Sequence, residues 1–224
     1  MGEGVEISSS LREKWDSLKS EISSEEIMDK WWNILLTHYE DESRHYHTFT
    51  HIHHLFQLME EHDDKISNRE AVSFAIFFHD IIYNPQAGDN EEQSADKFHL
   101  FAEEAGIEKD SALYKQVTEL IRLTATHMTE EHTAEWTFGT EDKHYFLDMD
   151  MAVLGSSPEE YLKYAANICK EYAFLPQDAY QKLRAKVLRV FLKIPNIYAT
   201  REFRKRFEKQ ARKNIEAEIV SLES

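Results

Sequence analysis

The segment that most limits how this chain can fold is the apolar run at residues 71–82. Nine of its twelve residues are apolar and Ser73 is uncharged, which leaves His79 and Asp80 as the ionisable pair. An apolar run of this length without a polar face predicts a helix that is buried on every side. Burying a carboxylate is costly unless it is paired, hydrogen-bonded or bound to a metal. His79 and Asp80 are therefore either a hydrogen-bonded pair in the core or part of a metal site.

The rest of the chain is also typical of helices. Glycine and proline are scarce, with 6 and 4 copies in 224 residues, and this favours long helices over many short strands. Apolar residues recur at helical spacing, and no internal repeat, low-complexity tract or linker divides the chain. We predict an all-α fold in a single domain at residues 1–224, with roughly nine or ten helices.

Charge and cysteine content limit the possible partners and setting. Acidic residues outnumber basic ones by 42 to 26, and the net charge of −16 argues against binding to a nucleic acid polymer or an anionic membrane surface. No apolar run approaches the length of a transmembrane helix, and the first residues do not resemble a secretory signal. Cys169 is the only cysteine, so the chain has no internal disulfide. These features predict a cytoplasmic protein.

Four separate places combine apolar helical sequence with histidine or aspartate. They are His47 with His51, His79 with Asp80, His127, and Asp148 with Asp150. Each has an ordinary explanation when taken alone, as a capping, exposed or core polar residue. Together, imidazole nitrogens and carboxylate oxygens suit Zn, Mn, Fe, Co or Mg. Other histidines, including His132 and His144, are predicted to be solvated.

Helix geometry allows some of these residues to share an ion. The spacing of His47 and His51 predicts that both side chains lie on one face at a helix start. His79 and Asp80 diverge by about 100° on a helix, so both reach one ion only if it lies beyond the end of that helix. A turn-rich loop begins at Asn84, which favours an open site there.

Five blocks of sequence, taken in order, resemble the HD superfamily of metal-dependent phosphohydrolases. The blocks are residues 44–47, 78–83, 90–95, 124–127 and 147–155. They lie within core motifs at about residues 31–155, and helices at 156–224 are expected to pack on that core. Residues 46–52 resemble the Tyr-His-Asn-x-x-His-Ala element of cyclic-nucleotide phosphodiesterases, with Thr48 in place of Asn. The wider pattern is similar to predicted HD phosphohydrolases that have no settled substrate. The resemblance implies an HD-type helical domain with a metal site between central helices.

The resemblance also implies a set of metal ligands. It assigns His51, His79, Asp80 and one later aspartate. Asp150 precedes an apolar residue, as the aspartate does in phosphodiesterases, which favours it over Asp148. His127 resembles the extra histidine that completes a second metal site in some members.

Three further residues are candidates for catalysis. His47 resembles the phosphodiesterase general acid that protonates the leaving oxygen. Glu91 is a candidate to orient the attacking water or accept its proton, or else a favourable charge at a helix N-terminus. Arg44 is a candidate to hold a phosphate bidentately, or else a partner for Asp41 and Glu42.

Seven basic residues crowd the last predicted helix. They are Arg201, Arg204, Lys205, Arg206, Lys209, Arg212 and Lys213. The simplest interpretation is a solvated basic face, and the alternative is that Arg212 or a neighbour meets a substrate phosphate. One of the aromatic residues could also stack on a nucleobase, but the sequence does not indicate which.

The combined prediction is a metal-dependent hydrolase that cleaves a phosphoester of a nucleotide or related small phosphate. One or two divalent ions (Mn, Mg, Zn, Fe or Co) would activate the attacking water. The expected partner is this small substrate, with no nucleic acid polymer and no membrane, and a homodimer is possible. Two alternatives stay open at this point: a di-iron oxygenase on the same scaffold, and a non-catalytic sensor that binds a nucleotide.

Overall fold

The computed structural model of the protein describes residues 2–18 and 24–224. These residues are largely helical and contain no β-strand beyond an isolated bridge between Gly139 and Thr200. The predicted all-α fold is therefore confirmed. Among the helices in these ranges, none is both long enough and apolar enough to cross a membrane. The chain forms two compact units, Met1–Thr126 and His127–Ser224. The boundary of a single domain at 1–224 stays a prediction.

The first unit is built from six α-helices and one 3₁₀ turn in its described part. The helices are α1 (Gly2–Ser17), α2 (Glu25–Tyr39), α3 (Phe49–Glu61), α4 (Arg69–Phe78), α5 (Asn90–Ala105) and α6 (Ala112–Leu123), and the 3₁₀ turn is Asp63–Lys65. The sequence Ser-Ser-Glu-Glu at 23–26 predicts a capping box at the start of α2, and its Ser23 lies outside the described residues. Ser24 caps the helix, accepting a hydrogen bond from the backbone of Ile27.

Helix α4 is the buried centre of the first unit, as the apolar run predicted. Asn68 caps its start by accepting a hydrogen bond from the backbone of Ala71, and the helix packs against α3, α5 and α6. The Trp15 ring lies edge-on to Phe74 and Phe77, with centroid distances of 6.1 and 5.2 Å. Tightly packed aromatic groups of this kind fix the helix in place. The side chains at its C-terminal end are therefore presented from a rigid support.

The second unit contains the remaining helices. They are α7 (Glu130–Thr133), α8 (Asp142–Asp150), α9 (Pro158–Glu171), α10 (Gln177–Lys193), α11 (Arg201–Phe203) and α12 (Lys209–Glu223). A 3₁₀ segment at Met151–Gly155 follows α8, and a π-helical segment at Arg204–Glu208 joins α11 to α12. Helix α10 packs along α12. The Arg212 side chain donates hydrogen bonds to the carbonyl oxygens of Ile194 and Pro195, which follow the end of α10.

Two local predictions are wrong. The polar sequence at 129–142, which includes Gly139, predicts a loop, but the structure has α7 within it. His132 and His144, predicted to be solvated, are both buried. In each, Nδ1 accepts a backbone N–H bond, from Thr129 at 2.9 Å and from Glu141 at 3.0 Å. Glu or Gln usually occupies this position of a capping box, and here histidine satisfies the same donor. The capping bond removes the cost of burying the ring nitrogen, which explains why both rings tolerate the interior.

Candidate metal centre

His79 and Asp80 lie at the point where α4 ends. His79 is the C-cap residue, and its ring is 1% exposed. Its Nδ1 lies 3.0 Å from the carbonyl oxygen of Ile76. A carbonyl oxygen only accepts hydrogen bonds, so Nδ1 of His79 carries the proton. In the neutral ring, Nε2 therefore carries a lone pair. A histidine whose second nitrogen donates to a backbone carbonyl is the usual arrangement of a metal ligand.

His51 brings a second imidazole nitrogen to the same place. It lies in the first turn of α3, a helix capped by Thr48, whose hydroxyl accepts a hydrogen bond from the backbone of Thr50. His51 is buried, and its Nε2 lies 3.4 Å from Nε2 of His79. Thr50 stands just before the apolar positions of this helix and so predicts a cap there, but in the structure Thr48 is the N-cap. Thr48 therefore fixes the start of the helix that carries His51.

The Asp80 carboxylate completes a three-atom cluster in the first unit. Its Oδ2 lies 3.1 Å from Nε2 of His79 and 3.7 Å from Nε2 of His51. An ion about 2.1 Å from each ligand, at tetrahedral or octahedral angles, separates the ligand atoms by roughly 3.0–3.4 Å. Two of the three separations fall in this range, and the third, between Nε2 of His51 and Oδ2 of Asp80, is slightly longer at 3.7 Å. Two imidazole nitrogens and one carboxylate are ligands that suit a divalent metal ion.

The alternative of a simple core hydrogen bond between His79 and Asp80 requires an extra proton. Since Nδ1 of His79 is committed to Ile76, the neutral ring would set a lone pair against a carboxylate oxygen at 3.1 Å. Two acceptors at that distance repel each other unless His79 takes a second proton or a cation lies between them. A second imidazole nitrogen at 3.4 Å, that of His51, favours the cation.

Arg44 holds the backbone of this cluster. It is buried, and its guanidinium donates to the carbonyl oxygens of Asp80 (2.7 Å), Ile81 (2.8 Å) and His47 (3.3 Å). The same guanidinium lies over the Tyr39 ring, 5.0 Å from its centroid. The hydrogen bonds thus go to carbonyl oxygens instead of the acidic neighbours considered from sequence. This clamp is a structural role that the sequence did not indicate, and the phosphate contact of Arg44 stays a prediction.

Replacing Arg44 by Lys is expected to weaken metal binding by about tenfold, the lower end of the effect seen when a group supporting metal ligands is lost. Lysine keeps the charge but cannot bridge two carbonyl oxygens with a planar fork, so the turn at Asp80 loses its support. Calorimetric titration with Mn²⁺ or Zn²⁺ measures the change. Arg122→Lys, at an exposed arginine paired with Glu92, is the control and should bind metal like the wild type. Equal affinities for all three proteins would contradict the clamp.

His47 does not share a helix face with His51, so that prediction is wrong. It precedes the cap of α3, and the two ring centroids are 6.0 Å apart. The His47 ring instead stacks on Tyr83, with a centroid distance of 3.9 Å and an angle of 26°. Nothing in the sequence indicated that Tyr83 positions this histidine, although Tyr83 belongs to the block at 78–83. The role of His47 as a general acid stays a prediction.

Glu91 lies in the first turn of α5 and is partly exposed. A carboxylate there interacts favourably with the helix dipole, which agrees with the ordinary explanation of this residue. Its part in catalysis stays a prediction.

In the second unit, His127 and Asp150 lie together. Nε2 of His127 is 2.7 Å from Oδ2 of Asp150, the last residue of α8. His127 has a φ of 50°, in the left-handed region that residues other than glycine rarely adopt. The short bond is of the charge-assisted kind, and it orients two residues that sequence analysis named as ligands.

Asp148 has a different role from the ligand role that the sequence allowed. It is 1% exposed, and its two oxygens accept hydrogen bonds from the Ala199 backbone, the Thr200 backbone and the Thr200 hydroxyl, all at 2.7 Å. Burial raises the pKa of Asp148 to about 7, against these three bonds, which favour the charged form. Both oxygens are engaged in holding the segment before α11. Asp148 is therefore removed from the predicted metal ligands, and Asp150 remains as the candidate late aspartate.

The fold and the cluster together define an all-helical protein with a histidine–aspartate group that could hold a metal. A scan against protein-family models, a search of curated proteins and a search of solved structures found no match to this chain. The resemblance to the HD superfamily therefore depends on the five sequence blocks alone.

Proposed function

We propose that this protein is a metal-dependent phosphohydrolase of the HD type, which hydrolyses a phosphoester of a nucleotide or a related small phosphate. The observation that carries the proposal is the convergence of His51, His79 and Asp80 within 3.1–3.7 Å of one another, next to the rigid end of α4. A mixed set of imidazole and carboxylate ligands suits Mn, Zn, Fe, Co or Mg. When bound, such an ion lowers the pKa of its coordinated water to about 7 and so supplies hydroxide at neutral pH.

Residues of this chain would support the reaction in distinct ways. The bond from His79 to Ile76 keeps the metal-facing nitrogen unprotonated. The stacked ring of His47 is the proposed general acid that donates a proton to the leaving oxygen. Glu91 is the proposed group that orients the attacking water. Asp150 is the proposed late ligand, in keeping with the order of the sequence blocks.

Purified protein is expected to bind at least one divalent ion and to release phosphate or a phosphomonoester from some member of a nucleotide and phosphoester panel. The panel is run with Mn²⁺, Mg²⁺, Zn²⁺ and Co²⁺, and metal content is measured by elemental analysis. His51→Ala should lose both the ion and the activity, because it removes one of the two imidazole ligands. His54→Ala, at an exposed position of the same helix, is the matched control and should keep both. A wild-type protein that binds no divalent ion would contradict the proposal.

A di-iron oxygenase is the second candidate, and the His127–Asp150 pair is the observation that favours it, since a second iron needs further ligands of this type. Iron at two equivalents, with oxygen consumed and no phosphate released, would select this function. Tight nucleotide binding with no product after long incubation would instead select a sensor.

A further inference from the structure

A groove in the second unit has a basic lining that stands out in an acidic protein. It has a volume of about 670 Å³, and its lining includes Trp136, Phe138, Arg201, Arg204, Lys205 and Glu135. We call it the basic groove. Three cationic side chains face one carboxylate there, although the whole chain carries −16. A concave surface lined by one sign of charge concentrates ligands of the opposite sign.

Trp136 at the edge of the groove is an unusual residue in two respects. It is 87% exposed, whereas Trp15, Trp31 and Trp32 are at most 6% exposed. Its φ of 66° places a bulky side chain in the left-handed region, which is costly for any residue except glycine. Strained residues persist where the surrounding structure holds them, and they concentrate at functional sites. An exposed indole held in this way is suited to stacking on a planar ligand.

The walls of the groove are fixed by hydrogen bonds to backbone carbonyls. Asn196 Nδ2 donates to the carbonyl oxygens of Glu131 and Ala134, at 3.0 and 3.1 Å. Arg204 Nη2 donates to the carbonyl oxygen of Thr137 at 2.6 Å, next to Trp136. The loop that carries the indole is therefore tied down on both sides and needs little ordering when a ligand binds.

The cationic side chains are also oriented. The guanidinium carbons of Arg201 and Arg204 lie 4.6 and 4.5 Å from the centroid of the Phe138 ring, which attracts both cations. Arg204 uses Nε and Nη2 for its bonds to backbone carbonyls, and none of these bonds uses Nη1. Arg201 and Lys205 are exposed. The groove thus presents charged donors beside an exposed aromatic face.

We propose that the basic groove binds a nucleoside phosphate, with the base on Trp136 and the phosphate held by Arg201 and Lys205. Bases stack on exposed aromatic side chains, and arginine matches the geometry of phosphate oxygens. The volume falls in the range of small-ligand sites, about 300–1,000 Å³, which suits a single nucleotide and not a polymer. The groove lining contains none of the residues proposed for the metal centre or for catalysis, so this site is independent of the proposed hydrolysis.

The test is a titration with adenosine 5′-monophosphate in EDTA, followed by tryptophan fluorescence. The other three tryptophans are buried, so quenching reports on Trp136. We expect saturable quenching, with adenosine alone and inorganic phosphate each binding at least about tenfold more weakly, because each supplies half of the contacts. No saturable quenching, or equal quenching by adenosine, would overturn the proposal. EDTA separates the two proposals, because loss of the metal removes hydrolysis and leaves the quenching in place.

Charge variants make the test specific. Arg201→Gln combined with Lys205→Gln is expected to weaken binding at least about tenfold. Lys209→Gln combined with Lys213→Gln removes the same charge from exposed positions of α12 outside the groove lining and should change affinity less than about twofold. Trp136→Ala, measured by calorimetry, should weaken binding by a similar factor. Equal losses in both double variants would indicate non-specific attraction and would overturn the site.

Discussion

Asp80→Asn is expected to lower metal affinity by more than about 100-fold and to abolish phosphoester hydrolysis, while the metal-free protein stays folded. The substitution keeps the shape of the side chain and removes the negative charge of the carboxylate. This carboxylate lies beside the two imidazole nitrogens and would bind the cation together with them. The effect should exceed the 10- to 100-fold range seen for residues that only support ligands. Because Asp80 lies at the surface of the cluster, with its side chain 19% exposed, neutralising it leaves no buried charge behind.

Thermal unfolding with and without metal gives a readout that does not depend on turnover. Metal at 100 times its Kd should stabilise the wild-type protein by about 2.7 kcal/mol, because it binds the folded state alone. Asp80→Asn should show almost none of this shift. Asp96→Asn, at an exposed position of α5, should show all of it. A full metal-induced shift in Asp80→Asn would remove Asp80 from the ligand set.

The sequence predicted the centre of the first unit well because the signal there is local. A run of apolar residues specifies burial, and the Asn68 cap specifies where α4 begins. The end of α4 was harder to predict, since no glycine or proline lies between Phe78 and Asn84. The structure ends the helix at Phe78, which brings His79 and Asp80 to the turn where their side chains converge.

The parts of the site that sequence could not predict depend on partners far away in the chain. Arg44 reaches carbonyl oxygens 36 and 37 residues further on, and carbonyl groups leave no trace in side-chain patterns. Asp148 and Asp150 look alike in sequence because they are two residues apart in one apolar segment. On a helix they point in directions about 160° apart, so Asp148 turns toward Ala199 and Thr200 while Asp150 turns toward His127.

Asp148→Asn is expected to destabilise the second unit by about 3 kcal/mol. The carboxylate accepts two backbone N–H bonds and one hydroxyl bond, all of which favour the charged form. Asparagine offers one oxygen, so its amide group would face a backbone donor and leave a buried N–H unsatisfied, which costs about 1–3 kcal/mol in addition to the charge-assisted bonds that are lost. Urea unfolding at pH 8 measures the effect, because Asp148, with a pKa of about 7, is mostly ionised there.

Asp150→Asn is the matched comparison and should behave in the opposite way. Asparagine keeps an oxygen that can accept the bond from His127, so stability should change less than in Asp148→Asn. If Asp150 is the late ligand of the proposed centre, the same substitution weakens metal binding, whereas Asp148→Asn leaves affinity intact at a temperature where that variant is folded. The two readouts therefore separate an anchor from a ligand within one short segment. Weaker metal binding in Asp148→Asn with normal stability would reverse the assignment of these two aspartates.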